Sequence, residues 1–379
     1  MNVPEAGWVL IKADGSMARR SDGEYEALFR IGIDSTTGDP DIDRWVNVYN
    51  DSGDGTDKSV ALSVIKPVTA GNHTFYFLGS RSAGSGTVMV FDPTLNVVFL
   101  PAQKMPNCSA SGNMTWTTSS PTFSEMRQCT MNVPEDGWVL ITADGSMARY
   151  DGEYEASFSI GIDSTTGDPD IDRWVNVYND SGDGTDKSVA LSIMKPVTAG
   201  NHTFNFLGSR YAGSGTVMVY DPTLSVVFVP SKKMASCSAS GNMTWTTNSP
   251  TFSEMRQCTM NVPEDGWVLI TADGSMARSD GEYEALFNIG IDSTSGDSNI
   301  DRWVNVYNDS GDGTDESVAL SVMKPVTAGN HTFNFLGSRS AGSGTVTVYD
   351  PTLSVVALVW TEKFPWPMFL PAITNNAQP

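Results

Sequence analysis

Histidine and cysteine are scarce in this sequence, and their scarcity narrows what the chain can do. The 379 residues include three histidines and four cysteines, and every histidine stands in the same motif, GNHTF. The sequence also lacks a G-x-S-x-G elbow, an H-E-x-x-H pair and a phosphate-binding loop between a strand and a helix. We therefore predict that the protein is not an enzyme and requires no cofactor.

Positive charge and long apolar runs are also in short supply. Lysine and arginine total 23 against 44 aspartates and glutamates, which gives a formal net charge of −21. Such a surface repels nucleic-acid phosphates and anionic lipid headgroups. The longest apolar run, around residues 353–360, has the length of a strand, whereas a membrane span needs roughly 20 residues. The composition thus predicts no nucleic-acid partner and no membrane insertion.

One unit is present three times. The motif MNVPEAGWVL at Met1 returns as MNVPEDGWVL at Met131 and Met260, and residues 131–227 differ from residues 260–356 at ten of 97 positions. Copies of this length exceed the unit of a solenoid protein. Each copy is therefore expected to fold as a self-sufficient domain.

The predicted domain boundaries follow the repeats. The segment that joins one copy to the next is itself repeated, at residues 101–130 and 230–259, and has no counterpart before Met1. Because Met1 aligns with internal methionines, we expect the chain to begin inside a longer precursor or at a misassigned start codon, with its signal peptide missing. The predicted units are a first copy without its leading strands, two complete copies and a C-terminal tail: residues 1–101, 108–230, 237–360 and 361–379.

Short alternating segments dominate each copy and predict an all-β fold. In EYEALFRIGID, Tyr25, Phe29 and Ile31 fall on one face of a strand. Turn sequences such as NDSGDGTD and KPVTAGN separate these segments, and no segment of ten or more residues has helical period. About eight short strands in each complete copy fit an antiparallel sandwich of two sheets.

Several elements recur in one order: a strand near TWTT, then VPEDGWVLITADGSM, GEYEA–F, AGNHTF and the closing GTVMVYDPTLSVVF. This order resembles the jelly-roll domains of the C1q/TNF-like kind in secreted bacterial proteins. The resemblance covers residues 108–230 and 237–360, and residues 1–101 without the leading strands. It implies association as trimers around an aromatic-lined axis. Three copies on one chain are thus expected to form a compact intrachain pseudo-trimer or, alternatively, a string of domains or a filament.

The four cysteines occupy two repeated positions that flank TWTT…TFSEM. If this segment is a hairpin, its ends lie close enough to bridge, and each bridge closes a loop worth about 3 kcal/mol of unfolded-state entropy. Two cysteines at this spacing lack the further ligands of a zinc site, so the alternative is free buried thiols. We predict the disulfides Cys108–Cys129 and Cys237–Cys258, and with them an oxidising, extracellular setting.

A repeated D-x-D-x-D run supplies alternate acidic oxygens, which are ligands that calcium prefers. Aspartate and asparagine are also ordinary residues of solvated turns, so both interpretations stay open. The candidate calcium ligands are Asp39, Asp41, Asp43, Asp168, Asp170, Asp172, Asp297, Asn299 and Asp301.

Aromatic pairs and sequons mark further candidate sites. A tryptophan and a tyrosine four residues apart share one face of a strand, where they form either an interface or a carbohydrate contact. These candidates are Trp45, Tyr49, Trp174, Tyr178, Trp303 and Tyr307. Sequons are candidates for glycosylation. They begin at Asn50, Asn72, Asn107, Asn113, Asn179, Asn201, Asn242, Asn308 and Asn330.

These features favour a secreted, non-enzymatic structural or adhesive protein located outside the cell or at its surface. Near-identical copies suit roles that scale with length or valency. The alternative is a lectin-like carbohydrate-binding module, assisted by calcium. The missing strands of the first copy leave an open sheet edge. One hypothesis is that the tail donates a strand to it, either within the chain or between chains in a filament; the alternative is a flexible or processed terminus.

Overall fold

The fold is seen in a computed structural model of the chain. It describes residues 1–17, 23–48, 57–102, 104–149, 151–177, 186–277, 281–306 and 315–358. Within these ranges the regular structure is β-strand apart from one 3₁₀ turn at Pro40–Ile42, so the predicted all-β fold is confirmed. None of the described elements is a helix long and apolar enough to cross a bilayer.

The strands of the three repeats follow one another in the same order. The first repeat contains β1 (Asn2–Val3), β2 (Gly7–Met17), β3 (Tyr25–Ile33), β4 (Arg44–Val48), β5 (Lys58–Val68), β6 (Gly71–Asn72), β7 (Phe75–Gly84) and β8 (Val90–Leu100). The second contains β9 (Asn107–Ala110), β10 (Thr115–Thr118), β11 (Ser124–Val133), β12 (Gly137–Arg149), β13 (Tyr154–Ile162), β14 (Arg173–Val177), β15 (Lys187–Val197), β16 (Gly200–Gly213) and β17 (Val217–Val229). The third contains β18 (Ser236–Ala239), β19 (Thr244–Thr247), β20 (Ser253–Val262), β21 (Gly266–Ala277), β22 (Tyr283–Ile291), β23 (Arg302–Val306), β24 (Glu316–Val326), β25 (Gly329–Gly342) and β26 (Val346–Ala357).

Each repeat is a sandwich of two antiparallel sheets, which we call inner and outer. The inner sheet of the second repeat has the order β15-β12-β17. Both β9 and β10 pair with the edge of β17 that faces away from β12. Its outer sheet has the order β14-β13-β16-β11. The third repeat has the same arrangement, with β24-β21-β26 plus β18 and β19 inside and β23-β22-β25-β20 outside. In the part of the chain that the structure describes, the first repeat has the two three-stranded sheets β5-β2-β8 and β4-β3-β7, with β1 paired to β6.

A hydrophobic core fills the space between the two sheets of each repeat. In the first repeat, Val9 and Ile11 of β2 are buried in this core with Phe29 of β3. The alternate residues of β2, such as Leu10 and Asp14, are buried as well, although they point to the opposite face of the strand. The inner sheets are therefore covered on both faces, by their own core and by the other repeats.

Among the described residues, the first repeat lacks the strands that cover the edges of β16 and β17 in the second. Phe206 and Leu207 of β16 are fully buried, whereas their counterparts Phe77 and Leu78 in β7 are half-exposed. The sequence predicted this gap from the missing leading segment. The tail at residues 361–379 lies outside the described residues.

Both predicted disulfides form, but the segment between the cysteines is not a hairpin. Cys108 lies in β9, which pairs with β17 of the inner sheet, and Cys129 lies in β11, which pairs with β16 of the outer sheet. The two strands therefore belong to different sheets of the sandwich. Each disulfide joins the two sheets at their edge, which is a correction of the local hairpin expected from the sequence.

Removing one disulfide should weaken the repeat that carries it. The variant C108S/C129S is expected to lose about 3 kcal/mol of unfolding free energy, because the unfolded chain regains the entropy of a loop closed across 21 residues. Urea denaturation of the oxidised protein measures this loss. The variant C237S/C258S is the matched comparison, since its loop has the same length. Equal stability of both variants and the parent protein would contradict the prediction.

Candidate functional site at the pseudo-threefold axis

The inner sheets of the three repeats meet around a pseudo-threefold axis. β5, β15 and β24 contact one another there, and each is joined to the next by the same bond from a backbone amide to a serine hydroxyl. These bonds are Ala61 to Ser188 (3.4 Å), Ala190 to Ser317 (3.3 Å) and Ala319 to Ser59 (3.4 Å). The last bond joins the third repeat to the first, so one chain forms a closed ring of three repeats.

A buried arginine–aspartate pair lies in every interface of this ring. Each arginine begins the strand that follows the D-x-D-x-D run and reaches an aspartate in the inner sheet of the next repeat. The pairs, with their Nε–Oδ1 distances, are Arg44–Asp144 (2.7 Å), Arg173–Asp273 (2.9 Å) and Arg302–Asp14 (2.9 Å). All six side chains are at most 2% exposed.

The arginine is tolerated in the interior because its donors are satisfied. Nη1 of Arg44 donates to the carbonyl oxygens of Asp43 and Asp221 at 2.8 Å, and Nη2 donates to Asp144 and to Thr223 Oγ1. Burial raises the pKa of Asp144, and Arg44 opposes that rise. A buried pair of this kind fixes the relative position of two surfaces, because either charge alone would be left uncompensated.

One position beside these pairs departs from threefold symmetry. In the second and third repeats this position is Thr142 and Thr271. Each threonine hydroxyl is hydrogen-bonded to the hydroxyl of a serine of the preceding repeat, Ser63 (2.6 Å) and Ser192 (2.8 Å) respectively. In the first repeat it is Lys12, which cannot accept a hydrogen bond. The corresponding serine, Ser321, donates instead to Asp14 from both its amide and its hydroxyl.

Lys12 is buried at the centre of the ring. Burial lowers the pKa of Lys12, while Asp273, Asp14 and Asp144 raise it. A cavity of about 20 Å³ lies among these residues, which is room for roughly one water molecule. At this level of the axis, Lys12 is therefore surrounded by three aspartates that already have arginine partners, and their charges stabilise its ammonium group in the assembled ring.

A second layer of charges closes one end of the axis. The first residues of β5, β15 and β24 are Lys58, Lys187 and Glu316, all buried. Lys187 Nζ lies 2.6 Å from Glu316 Oε1. Burial is the main cause that lowers the pKa of Lys58 to about 8; Glu316 opposes this shift and Lys187 contributes to it. Glutamate in the third repeat therefore compensates two lysines that meet at the axis.

The other end of the axis is apolar. Buried aliphatic and methionine side chains from all three repeats form one cluster there, with Trp8, Trp138 and Trp267 partly buried against it. The cluster contains Leu10, Ile65, Val98, Leu100, Met105, Leu140, Met194, Val227, Val229, Met234, Leu269, Met323, Val356 and Leu358. The repeats accordingly share a fourth core in addition to their own three, and they are not separate beads.

Each interface also contains a carboxyl–carboxyl contact. Asp186 of the second repeat shares a hydrogen bond with Glu26 of the first, and the same contact joins Asp315 to Glu155 and Asp57 to Glu284. Burial, followed by the neighbouring carboxyl group, raises the pKa of Asp57, Asp186 and Asp315 to about 7. Lys58 and Lys187 oppose this rise at two of the interfaces.

Stability should therefore fall as the pH rises from about 4 to about 7. These aspartates have pKa values near 3.8 when unfolded, so in this window the folded state binds more protons than the unfolded state. The triple variant D57N/D186N/D315N keeps hydrogen-bonding groups without the charge. We expect it to be more stable than the parent protein at pH 7, by an amount on the order of several kcal/mol, and equal to it near pH 4.

Denaturant titrations across this pH range test the expectation. The control is Glu5→Gln at an exposed position of the first repeat. Parallel pH profiles for the parent protein and the triple variant would show that the carboxyl contacts are not coupled to folding.

The three tryptophans predicted as interface or ligand residues lie beside the arginine–aspartate pairs. Their backbone amides donate to serines of the next repeat: Trp45 to Ser146 (2.7 Å), Trp174 to Ser275 (2.8 Å) and Trp303 to Ser16 (2.8 Å). The ring of Trp174 lies edge-on to Tyr349 of the third repeat, and that of Trp303 to Phe91 of the first, each at 6.0 Å. Their partners in the prediction, Tyr49, Tyr178 and Tyr307, lie outside the described residues.

The candidate calcium ligands of the first repeat contact basic side chains. Asp39 accepts a bond from the amide of Asp41 and pairs with Lys66 at 2.5 Å, and Asp43 pairs with Arg30 at 2.6 Å. These cations neutralise the carboxylates from which a calcium site would be built. No group of three or more His, Cys, Asp or Glu side chains among the described residues is placed to hold a metal ion.

The other two repeats use a lysine in the same way. Lys195 contacts Asp168 at 2.6 Å and Asp170 at 3.2 Å. Lys324 contacts Asp297, to which Asn299 also donates. The remaining ligands of the prediction differ: burial raises the pKa of Asp172 to about 6, and Asp301 accepts a bond from Asn288. Calcium binding by these turns stays a prediction.

Each histidine has an aspartate partner that the sequence analysis did not find. The pairs are His73–Asp34 (2.6 Å), His202–Asp163 (2.7 Å) and His331–Asp292 (2.7 Å). The other ring nitrogen of His202 faces the carbonyl of Thr198 at 2.9 Å. The aspartate, above all, raises the pKa of His202 and His331. With both ring nitrogens bonded to acceptors, these imidazoles fasten a turn to a strand.

The described sequons lie at the surface. Asn72, Asn113, Asn201, Asn242 and Asn330 are exposed. Asn107 is half-buried and donates to the carbonyl of Met105 at 3.0 Å. Asn50, Asn179 and Asn308 lie outside the described residues.

No family of known proteins and no curated protein matches this sequence. Among solved structures, the chain is similar to one described as the triple jelly-roll fold and turret assembly of an archaeal virus, with 10% identity and a TM-score of 0.20 over 94% of this chain and 81% of that one. It is also similar to the VP2 subviral particle of infectious bursal disease virus, with 10% identity and a TM-score of 0.23 over 94% of this chain and 67% of that one. At such scores these similarities say nothing about function.

Proposed function

We propose that this chain is a non-enzymatic extracellular structural or adhesive protein. Its unit is a single chain folded as a compact pseudo-trimer of C1q/TNF-like jelly rolls. The observation that carries the proposal is the set of three arginine–aspartate pairs, one in each interface. Their six side chains are at most 2% exposed, and each pair joins one repeat to the next. The two disulfides support an oxidising location.

The arrangement favours the compact ring over a string of domains. A string would leave Arg302 and Asp14, which are 288 residues apart, without each other. It would also expose the inner sheets, whose axial faces carry the shared apolar cluster. A ring presents the outer sheets three times around one axis, and this geometry suits attachment through several equivalent contacts.

Light scattering combined with electron microscopy tests the proposal. We expect a particle with the mass of one chain, 40.8 kDa, and threefold outline, alone or as the unit of a larger assembly. Coating beads with the protein and measuring their retention on cells or matrix tests adhesion. A protein that forms an extended monomer and neither assembles nor retains beads would contradict the proposal.

A lectin-like function is the second candidate, and one exposed aromatic residue favours it. Tyr211 is 65% exposed, and its ring lies edge-on to that of Trp174 at 6.3 Å. Exposed aromatic pairs can stack on sugar rings. The other two repeats have Ser82 and Ser340 at this position. A glycan array with and without a calcium chelator tests binding, and the matched variant Tyr211→Ser is expected to abolish any signal that depends on this pair.

A further inference from the structure

The chain passes from one repeat to the next in the same way at both joints. After β8 ends at Leu100, the six residues 101–106 bring the chain to the start of β9, which pairs with β17 of the second repeat. After β17 ends at Val229, the six residues 230–235 bring it to the start of β18, which pairs with β26 of the third. Each repeat thus sends the following segment to the outer edge of the next repeat's inner sheet.

In a closed ring, the repeat that comes after the third is the first. Leu358 leaves the third repeat at the same place where Leu100 and Val229 leave theirs, since all three belong to the axial apolar cluster. The amide of Leu358 donates to the carbonyl of Trp267 at 2.7 Å. The chain beyond Leu358 therefore starts in the position from which the two earlier joints reached their neighbours.

The edge it would reach is open among the described residues. In the second repeat, β9 and β10 cover β17, and Val219 and Leu224 are fully buried. The counterparts in β8, Val90 and Leu95, are half-exposed, and Phe91 is 41% exposed. Val90 and Leu95, whose counterparts are core residues in the other two repeats, thus line a strand that no described residue of the chain covers.

This edge also keeps the backbone geometry that holds a strand. Asp221 exchanges two bonds with Met114, from its amide to the carbonyl at 2.8 Å and from the Met114 amide to its carboxylate at 3.0 Å. The exchange uses a left-handed backbone, with φ +46° at Asp221. Asp92 in β8 has φ +45°, a conformation rare outside glycine. The first repeat therefore already has, at Asp92, the backbone conformation with which the second repeat bonds an added strand.

We propose that residues 359–379 of the same chain dock on β8 and complete the inner sheet of the first repeat. By the spacing of the two earlier joints, Pro365–Met368 would take the place of β9 and β18, and residues 373–376 that of β10 and β19. Prolines at positions 365 and 367 are compatible with an edge strand, whose outward amides have no partner to serve. This inference goes beyond the proposed function and stands without it.

Hydrogen exchange measured by mass spectrometry tests the docking. In a chain that ends at Leu358, the backbone amides of residues 90–95 should exchange at least about tenfold faster than they do in the full chain. The equivalent strand of the second repeat, residues 219–224, is the internal control and should not change, which also shows that the truncated chain folds. A synthetic peptide of residues 359–379 should restore the protection, and a scrambled peptide should not. Unchanged exchange at residues 90–95 would overturn the proposal.

Two further results would identify a different occupant and so overturn it. If protection of residues 90–95 in the full chain disappears on dilution together with a fall in mass, the tail binds a second chain and not its own. If an oxidised peptide of residues 104–130 binds the full chain and protects the same amides, the edge is vacant and accepts a leading segment from elsewhere. Protection that persists in particles of single-chain mass supports docking within the chain.

Discussion

Replacing Glu316 by lysine is expected to destabilise the protein by about 3–5 kcal/mol, although lysine is the residue that the other two repeats carry at this position. In E316K, three buried lysines would meet at the end of the axis without the carboxylate that lies 2.6 Å from Lys187. The pKa of Lys58 is already lowered to about 8 by burial. A change towards the consensus of the repeats thus removes the compensation on which the interface depends.

The exchange variant K187E/E316K makes this prediction specific. It moves the glutamate from the third repeat to the second and keeps two lysines and one glutamate around the axis. We expect it to recover most of the stability that E316K loses in urea denaturation. The control K232E reverses a charge that is 78% exposed and should change stability by less than about 1 kcal/mol. An exchange variant as unstable as E316K would refute the idea that the charges balance at the axis.

Removing Arg302 should open the ring as well as destabilise it. The variant R302M leaves Asp14 buried without its guanidinium, a loss of about 3–5 kcal/mol. Of the three interfaces, this one joins repeats that are distant in the sequence, so the first and third repeats are held together by noncovalent contacts, of which the pair of Arg302 and Asp14 is the most deeply buried. We expect small-angle scattering to show a larger radius of gyration for R302M than for the parent protein.

The matched variant R173M separates the two effects. It removes the same kind of pair between the second and third repeats, which residues 230–235 still connect. Both variants should lose similar unfolding free energy, but R173M should expand less. If R302M keeps the dimensions of the parent protein and its stability, the buried pair is not what closes the ring.

The sequence predicted the strands well because period-two alternation reports burial directly. Tyr25, Phe29 and Ile31 are buried as the pattern indicated. The same rule was incomplete for β2, where Asp14 and Lys12 stand on the face opposite the core. Alternation assigns polar residues to solvent, and no local pattern shows that two other repeats cover that face. The sequence offered one comparative clue: Lys12 and Glu316 are among the positions where the copies differ in charge, and both lie at the axis.

The contacts of the site were beyond the sequence because they join distant positions. The cysteine spacing predicted the disulfides, yet it could not show that Cys108 and Cys129 belong to different sheets. The histidine–aspartate pairs are 39 residues apart, a separation set by strand lengths and turns. Arg44 and Asp144 are 100 residues apart and belong to different repeats. Each of these contacts depends on how distant strands pair and pack in three dimensions. Local propensity and sequence spacing do not contain that information.

Closure of the ring has a consequence for how such a gene can change. Tandem arrays usually gain or lose whole units easily, since near-identical stretches misalign during replication. Here a chain with two units would lack a partner for one arginine and one aspartate, and a fourth unit would find no place around an axis already occupied by three strands. The ring geometry therefore accommodates three units, and adding or deleting one would leave buried interface groups without their partners.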